Sequence, residues 1–318
     1  MVLIPFETTY TNEWDELVHH SRNATFLHER AYVGYLGDKP KDVSILFKKT
    51  AASGKAIAGL IADLEGERVV SHGFLTYGGL IMHEQLHVTD AVEAIKKAVE
   101  YYRHETGARD LIYKPVPLIY HTQPSTDDLY ALSLQGARLV ERKVAGVIDL
   151  ENWTIRALDT LRQRELRKAH ALGLVIKEAS TDDWAVFHAI LRTVLHERHN
   201  AAPVHSLEEL RRLHSLFPRR IRLAVVWAGN TIVGGSVVYL TQQVAHCQYI
   251  ATSDEGKKRA ALTLLFVTLA ENLRGKKRYL DFGTSMEPGD GSLNKGLALW
   301  KESFGARTVT YDTYSLTL

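Results

Sequence analysis

The sequence has very little cysteine and no hydrophobic run long enough to cross a membrane. Cys247 is the one cysteine among 318 residues, which excludes an intrachain disulfide framework and a cysteine-based zinc module. The longest apolar run, residues 260–270, includes two threonines, whereas a membrane-spanning helix needs about 20 apolar residues. The N-terminus lacks the basic segment and apolar stretch of a signal peptide. We therefore expect a cytoplasmic protein without membrane insertion.

The signatures of several enzyme classes are also missing. No GxSxG, GxxxxGK[ST] or GxGxxG segment occurs, so hydrolase, P-loop and Rossmann functions lack their motifs. HEQLH at residues 83–87 matches HExxH, which binds zinc only when both histidines lie on one face of a helix. Gly78 and Gly79 before it and Asp90 after it predict a connection between a strand and a helix instead. We therefore expect no bound metal.

Charge is distributed unequally along the chain. Residues 1–150 carry 16 basic and 20 acidic side chains, and residues 151–318 carry 23 and 17, so net charges of −4 and +6 give the total of +2. The basic residues of the second half are clustered at 162–168, 211–222 and 257–259. Such runs are usually solvated helix faces, but the one-sided distribution favours the second half as the binder of an anionic ligand.

The two halves show a weak internal repeat. At an offset of 169 residues, GAR at 136–138 matches GAR at 305–307, and LIY at 111–113 matches LDF at 280–282. At an offset of 174 residues, His72 matches His246. Each half also predicts the same order of alternating strands, a helix, a strand, a short helix and a last strand. We therefore predict two tandem domains, at residues 1–150 and 151–318.

The predicted elements indicate an α/β (α+β) fold in which helices cover a sheet. Glycines and capping boxes mark the helix ends. The helices that they delimit are one opened by Asp90-x-x-Glu93, a basic helix from Leu158 to Leu172 stopped by Gly173, one from Asp182 to Arg198, one opened by Ser206-x-x-Glu209, and an apolar helix from about Ala260 to Leu273 stopped by Gly275.

Residues with useful chemistry concentrate between His246 and Lys301. Strict alternation along the strand 244–252 places His246, Gln248 and Ile250 on one face and Cys247, Tyr249 and Ala251 on the other. A glycine and three cations then precede the apolar helix, which is a sound arrangement for binding phosphate. The predicted cradle consists of Gly256, Lys257, Lys258, Arg259, Ala260 and Ala261.

The second half resembles the Gcn5-related N-acetyltransferase (GNAT) superfamily in its FemAB-like branch. The resemblance is carried by RELRKAHALG at 164–173, PVHSLEEL at 203–210, LDFGTS at 280–285 and KESFGAR at 301–307. The first half resembles a partner domain of that branch through SHGFLTYGGL at 71–80. The resemblance implies two tandem GNAT-like domains, each with a mixed, mostly antiparallel sheet covered by helices. The usual acyl-CoA loop of the superfamily, [QR]xxGx[GA], is not matched around residues 257–261.

The resemblance also implies roles for individual residues. Tyr249 and His246 are candidates for protonating the leaving group and for positioning or deprotonating the amine, and Glu287 is an alternative base. Lys301 matches the basic position of the terminal KxxFG segment and is expected to stabilise developing negative charge. The residues expected to contact substrate are His205, Arg164, Arg167 and Ser285.

The function expected from these features is an N-acyltransferase. It transfers an acyl group from acyl-CoA, such as acetyl-CoA, to the primary amine of a small molecule or cell-surface precursor. An alternative is a Fem-like transferase that uses aminoacyl-tRNA and binds tRNA. A third hypothesis is a catalytically silent binding module that keeps the scaffold, because fold does not imply function.

Overall fold

The structure, a computed structural model, describes residues 1–35, 41–51 and 54–318, without the side chains of 198 and 199. Internal contacts divide the chain into two compact units. Unit 1 contains residues 1–143 and 310–318, and unit 2 contains residues 144–309. The last nine residues of the chain therefore belong to the first unit. A comparison of the two sequence halves does not detect this.

The described part of unit 1 forms two sheets. Its strands are β1 (Val2–Pro5), β2 (Lys41–Asp42), β3 (Ile45–Lys48), β4 (Ala56–Leu60), β5 (Ala62–Glu65), β6 (Arg68–Ser71), β7 (Leu80–Met82) and β8 (Asp110–Tyr113). One sheet is antiparallel with the order β1-β3-β4-β7. The other has the order β8-β6-β5-β2, with β6 and β8 parallel. Its helices are α1 (Thr11–His19), α2 (Arg30–Val33), α3 (Val88–Glu105) and α4 (Asp127–Leu134).

Helix α3 supplies much of the core of unit 1. Its buried stripe includes Ile95, Val99 and Tyr102, which follow helical spacing and pack against the sheets. The helix begins one turn earlier than expected, because His87 is the N-cap and Asp90 accepts a hydrogen bond from its backbone N–H at 3.0 Å. The HEQLH segment therefore lies between β7 and α3, as predicted, and its two histidines do not share a helical face.

Unit 2 contains a single described sheet covered by helices on both faces. Its strands are β9 (Arg138–Asp149, shared with unit 1), β10 (Val175–Glu178), β11 (Ile221–Ala228), β12 (Thr231–Leu240), β13 (Val244–Thr252) and β14 (Tyr279–Thr284). The order is β10-β11-β12-β13-β14-β9, and β13–β14 is the one parallel pair among these six strands in the described residues. The final strand, β15 (Arg307–Thr317), starts in unit 2 and ends beside β8 in unit 1.

The helices of unit 2 match the sequence prediction closely. They are α5 (Thr160–Ala171), α6 (Asp183–His199), α7 (Leu207–Leu216), α8 (Asp254–Lys258), α9 (Ala261–Leu273) and α10 (Lys295–Glu302). Gly173 and Gly275 follow α5 and α9 with φ angles of 67° and 74°, a left-handed conformation that glycine adopts without strain. On one face of the sheet, the aromatic side chains of α9, α10 and β14 pack together around Phe266. The predicted α/β class with mostly antiparallel sheets is confirmed.

The strand β13 contains a bulge at Gln248. Val238 of β12 pairs with Cys247, whereas Val237, its neighbour, pairs with Tyr249. Two residues of β12 therefore span three residues of β13, and Gln248 is the extra one. Such a bulge reverses the inward and outward alternation of every residue beyond it.

The bulge places His246 and Tyr249 on the same face of the sheet. Cross-strand partners point to the same face, and the partners of these two residues are Tyr239 and Val237, which alternate normally on β12. Cys247 and Ile250 lie on the opposite face, where both pack in the core beneath α9. The expected grouping of Tyr249 with Cys247, and of His246 with Ile250, is therefore wrong.

No described helix combines the length and apolar character that crossing a bilayer requires.

Candidate active site

A cleft begins where the parallel strands β13 and β14 separate. Their described pairing covers Val244–His246 and Tyr279–Asp281. Beyond that point, β13 continues to Thr252 and β14 to Thr284 without pairing to each other among the described residues. The two strands therefore make no described backbone pairs with each other beyond His246 and Asp281, where a continuous sheet would use these groups for its own hydrogen bonds.

His246 and Asp281 form a hydrogen-bonded pair at the mouth of this cleft. The Nδ1 of His246 lies 2.8 Å from Oδ2 of Asp281, whose side chain is fully buried. The other carboxylate oxygen, Oδ1, accepts the backbone N–H of Gly283 at 2.7 Å. The carboxylate therefore fixes the ring and its tautomer, with the proton on Nδ1, so that Nε2 is the atom available for proton transfer.

Lys301 reaches the same place from α10. Its side chain is 2% exposed, and its ammonium donates hydrogen bonds to the carbonyl oxygens of Gly283 and Thr284, both at 2.7 Å. Its third hydrogen has no acceptor among the described residues. Burial lowers the pKa of Lys301 to about 8, against the opposing attraction of Asp281. The ammonium is therefore still charged at neutral pH, in a position to stabilise negative charge.

Two glycines make room for this arrangement. A side chain at Gly146 on β9 would place its Cβ 2.8 Å from Cβ of Lys301, so the lysine stem passes over a bare backbone. Gly283, with φ of 73°, turns the end of β14 in a left-handed conformation and lies against the ring of His246. His246, Asp281 and Lys301 therefore converge on Gly283.

Cys247 is not part of this chemistry. Its thiol is buried on the opposite face of β13, and burial raises its pKa to about 12. A thiol with so high a pKa provides almost no thiolate at neutral pH and is a poor nucleophile.

Tyr249 contacts His205, a residue from the connection between α6 and α7. The Tyr249 Oη lies 2.6 Å from Nδ1 of His205 and accepts the backbone N–H of the same residue at 3.3 Å. Burial lowers the pKa of His205 and raises that of Tyr249 to about 12. The pair is therefore neutral at pH 7. Because of the bulge, it lies on the same face of the sheet as His246.

The predicted phosphate cradle is divided between two helices. Gly256, Lys257 and Lys258 belong to the short α8, whose start is already capped by Ser253 and carries acidic residues. Lys257 and Arg259 form surface ion pairs with Asp254 and Glu255. The better anion site is the start of α9 at Ala260 and Ala261, because its first turn has no side-chain cap and no acidic residue.

Ala260 occupies the turn at the start of α9 with a φ of 59°. This left-handed conformation is costly for alanine and free for glycine. The turn before α9 therefore has a backbone conformation typical of glycine, although the residue there is alanine.

Gly256 serves packing rather than ligand contact. A Cβ there would lie 2.2 Å from Oγ1 of Thr252 and 2.3 Å from the carbonyl oxygen of Val233. We expect Gly256→Ala to lower the free energy of unfolding by about 2–3 kcal/mol, because the backbone of α8 must move away from β12. Gly296→Ala is the matched control, since its Cβ would meet nothing closer than 3.7 Å in α10. Urea unfolding measures both, and equal stabilities of the two variants would contradict this packing role.

The other predicted site residues do not take part in the described hydrogen bonds of the His246, Asp281 and Lys301 side chains. Arg164 and Arg167 are exposed on α5 and have no ion-pair partner among the described residues. Ser285 is buried, and its backbone pairs with Val144 and Asn294. Glu287 is exposed, and its backbone N–H donates to Ser292 within the loop that follows β14. No hydrogen bond or ion pair joins any of these four to the side chain of His246 or Lys301 among the described residues.

Unit 1 contains the counterpart of the cleft, but its own chain bridges it. The parallel pairing of β6 with β8 ends at Val70 and Ile112, and that of β13 with β14 ends at His246 and Asp281. Ile112 corresponds to Asp281, because the two are 169 residues apart, as in the sequence repeat. His246 thus corresponds to Val70 and not, as the sequence match suggested, to His72. Just beyond this point, Lys114 donates hydrogen bonds to three carbonyl oxygens of residues 72–75. Its own backbone N–H donates to Oγ of Ser71 at 2.8 Å.

Sequence reasoning missed Asp281 and Gly283 as site residues. A signal was present, since Asp281 is a charged residue between Leu280 and Phe282 in an apolar strand, and carboxylates are rarely fully buried without a partner. The partner could not be identified, because His246 is adjacent only through the parallel pairing of the strands.

Comparison with known proteins identifies a related domain in the second half of the chain. Residues 158–291 match the family model described as Acetyltransferase (GNAT) domain. No curated protein matches the sequence.

Solved structures share the fold of the whole chain. FemX superposes with a TM-score of 0.71 at 12% identity, covering 100% of this chain and 98% of that one. L-PGS from Bacillus licheniformis gives 0.63 at 13% identity over 95% and 90% of the chains. A tandem GNAT protein from the clavulanic acid biosynthesis pathway gives 0.53 at 14% identity over 99% and 98%. With the family match, they confirm the resemblance to the FemAB-like branch and the tandem GNAT fold.

Proposed function

We propose that the protein is an N-acyltransferase whose single donor site is the cleft of unit 2, because residues 158–291 match the model of the GNAT acetyltransferase domain and the chain shares the fold of FemX. The acceptor is the primary amine of a small molecule or a cell-surface precursor. The convergence of His246, Asp281 and Lys301 on Gly283 carries this proposal. A cytoplasmic location, expected from the cysteine content, is part of the same proposal.

The converging residues supply what acyl transfer needs. Attack of an amine on an acyl donor makes negative charge on the carbonyl oxygen and then on the leaving atom, while the nitrogen must lose a proton. The charged ammonium of Lys301 stabilises negative charge in a buried site. His246, held by Asp281, moves a proton through Nε2. No metal has a part in this proposal.

An acyl-CoA donor fits the anion-binding features of unit 2. The uncapped start of α9 would bind its phosphates, and Lys258 is the nearby cation without an ion pair among the described residues. The edges of β13 and β14 beyond His246 would hold its extended arm by backbone hydrogen bonds. Since Lys114 bridges the corresponding place in unit 1, that unit would hold no donor.

We expect isothermal titration with acetyl-CoA to give one site per chain. Lys258→Gln should weaken binding about 3- to 10-fold, because one cation close to a phosphate contributes roughly 1 kcal/mol. Lys276→Gln is the matched control, since Lys276 is an exposed lysine just after the opposite end of α9. Two sites per chain would show that unit 1 also binds donor, and no binding at millimolar ligand would rule out acyl-CoA.

Aminoacyl-tRNA is the second candidate donor, favoured by the exposed cations of α5. Arg162 of this helix donates to Oγ1 of Thr263 in the first turn of α9 at 3.1 Å. Arg164 and Arg167 therefore extend the positive surface outward from the proposed phosphate site. For this donor, tRNA affinity should fall steeply with salt, because each phosphate contact releases counterions. Replacing both arginines by glutamine should reduce the salt dependence, whereas Lys96→Gln on α3 should not.

A further inference from the structure

The short contact between Tyr249 and His205 links the position of the phenol proton to the tautomer of His205. A phenol oxygen has one hydrogen to donate and accepts through its lone pairs. The Oη of Tyr249 already accepts the backbone N–H of His205, and its shorter contact, 2.6 Å, is to Nδ1 of the ring. When neutral His205 carries its proton on Nε2, the phenol hydrogen is donated to Nδ1. The Gln248 side chain also hydrogen-bonds to Oη, so a substrate N–H would take the place of that side chain.

This orientation suits Tyr249 to receive a proton and not to release one. The proton that a leaving group would take is held by His205. The proton of an attacking amine, in contrast, can pass to Oη while the phenol proton moves on to Nδ1. His246 is on the same face of β13 and is not part of this chain of hydrogen bonds.

We propose that the two histidines divide the proton transfers: His205, acting through Tyr249, takes the proton of the attacking amine, and His246, held by Asp281, protonates the leaving group. This assignment rests on the proposed N-acyltransferase function. It makes His205 a positioning residue and proton acceptor that does not itself touch the substrate.

The two transfers balance. On the acceptor side, a nitrogen–carbon bond forms, the N–H bond breaks, its proton goes to Oη of Tyr249, and the former phenol proton goes to Nδ1, leaving His205 as an imidazolium. On the donor side, the bond between the carbonyl carbon and the leaving sulfur or oxygen breaks. The leaving atom takes the Nε2 proton of a protonated His246, which becomes neutral. Exchange with solvent then restores both rings.

The surroundings of His205 are suited to this role. Tyr249 faces it from β13, His188 of α6 donates from Nε2 to its carbonyl oxygen at 3.2 Å, and Glu209 of α7 lies close enough to attract a positive ring. Burial lowers the pKa of His205, so the ring is neutral and able to accept a proton at pH 7. Activity should therefore rise with pH through a pKa below 6.5, and His205→Asn should remove this acidic limb.

A change of leaving group separates the two roles. The same acyl group is supplied either as the CoA thioester or as the thioester of 4-nitrothiophenol, whose anion leaves without a proton. We expect His246→Ala to regain at least tenfold of its lost activity with the nitro donor. His205→Asn and Tyr249→Phe should keep their losses of about 10- to 100-fold with either donor. Rescue of the His205 variant, or failure to rescue His246→Ala, would overturn the division.

A spectroscopic measurement decides the geometry without any turnover. In protein labelled with 15N-histidine, His205 should be neutral at pH 7 with its proton on Nε2, and Tyr249→Phe should remove the hydrogen-bond shift of Nδ1. His214→Asn, a change at another half-buried histidine of unit 2, should leave that signal and the activity unchanged. A proton found on Nδ1 would overturn the proposal. If wild-type protein transferred no acyl group, the proposed function would fail while this signal remained interpretable.

Discussion

His246→Ala should reduce kcat/KM for acyl transfer by about 10²–10⁴-fold, because it removes the residue that moves a proton at the donor cleft. Asp281→Asn should cost nearly as much. Asparagine keeps the oxygen that accepts the N–H of Gly283, but its amide must donate to Nδ1 of His246. The ring then carries its proton on Nε2, without a carboxylate to hold a positive charge. In Ser-His-Asp triads, the same change costs about 10⁴-fold in kcat.

This prediction is checked by steady-state kinetics on folded variants. Circular dichroism and urea unfolding should show that Asp281→Asn retains the native fold, since the volume and one hydrogen bond are kept. His104→Ala, a change at an exposed histidine near the end of α3 in unit 1, is the control and should leave kcat/KM within twofold. Full activity of both His246→Ala and Asp281→Asn would mean that the pair is structural and that the catalytic cluster lies elsewhere.

Lys301→Met should lower kcat by about 10²–10³-fold, the usual cost of removing one group that stabilises developing negative charge. Lys301→Gln should lose a similar factor while restoring part of the stability, because its amide can donate to the carbonyl oxygen of Gly283 but carries no charge. Lys295→Met is the matched control at the exposed start of α10. Activity retained in Lys301→Gln would show that the lysine acts through its hydrogen bonds alone.

The pH dependence of activity gives a second measure of the same lysine. Burial lowers the pKa of Lys301 to about 8. Catalysis that needs its charge should therefore decline as pH rises through 8, and the residual activity of Lys301→Met should lack this decline.

The stability of the fold should rise with pH over the range in which activity declines. The unfolded chain binds this proton up to the ordinary pKa of 10.5, whereas the folded protein releases it near 8. The free energy of unfolding therefore rises with pH between about 8 and 10.5, by an amount on the order of 3 kcal/mol. Lys114 of unit 1, whose pKa burial also lowers to about 8, contributes with the same sign. Urea unfolding at pH 7.5 and 9.5 should show a smaller increase for Lys301→Met than for wild type.

The functional hypotheses give different patterns across these variants. An acyltransferase loses activity in the His246, Asp281 and Lys301 variants but keeps donor binding at the start of α9. A catalytically silent module binds a ligand and transfers nothing, even as wild type. A screen of candidate amines with labelled acyl donors separates these outcomes and identifies the acceptor.

Local features were predictable from sequence because they depend on neighbours in the chain. The capping box at Ser206 and Glu209 is present, with the serine Oγ accepting the N–H of Glu209 at 3.2 Å. The apolar helix α9 begins one residue after the predicted Ala260 and ends at the predicted Leu273. The 169-residue repeat also aligned β8 with β14, which is one strand of each parallel pair.

The composition of the active site could not be predicted in the same way. Which face Tyr249 occupies depends on the bulge at Gln248, and nothing in the local sequence marks that residue as the extra one. The partnership of His246 with Asp281 joins residues 35 positions apart. That of Tyr249 with His205 joins residues 44 positions apart, and one partner lies in a connection without regular structure.

The sequence by itself determined the helices, the repeated unit, the basic second half and the family resemblance, because periodicity, caps and charge are properties of short segments. Only the tertiary structure decided which side chains meet. The separation of β13 from β14 brings His246, Asp281 and Lys301 to Gly283, and the bulge turns Tyr249 toward His205. Strand register is the physical reason, because it is set by packing between distant segments, and a single extra residue reverses every side chain beyond it.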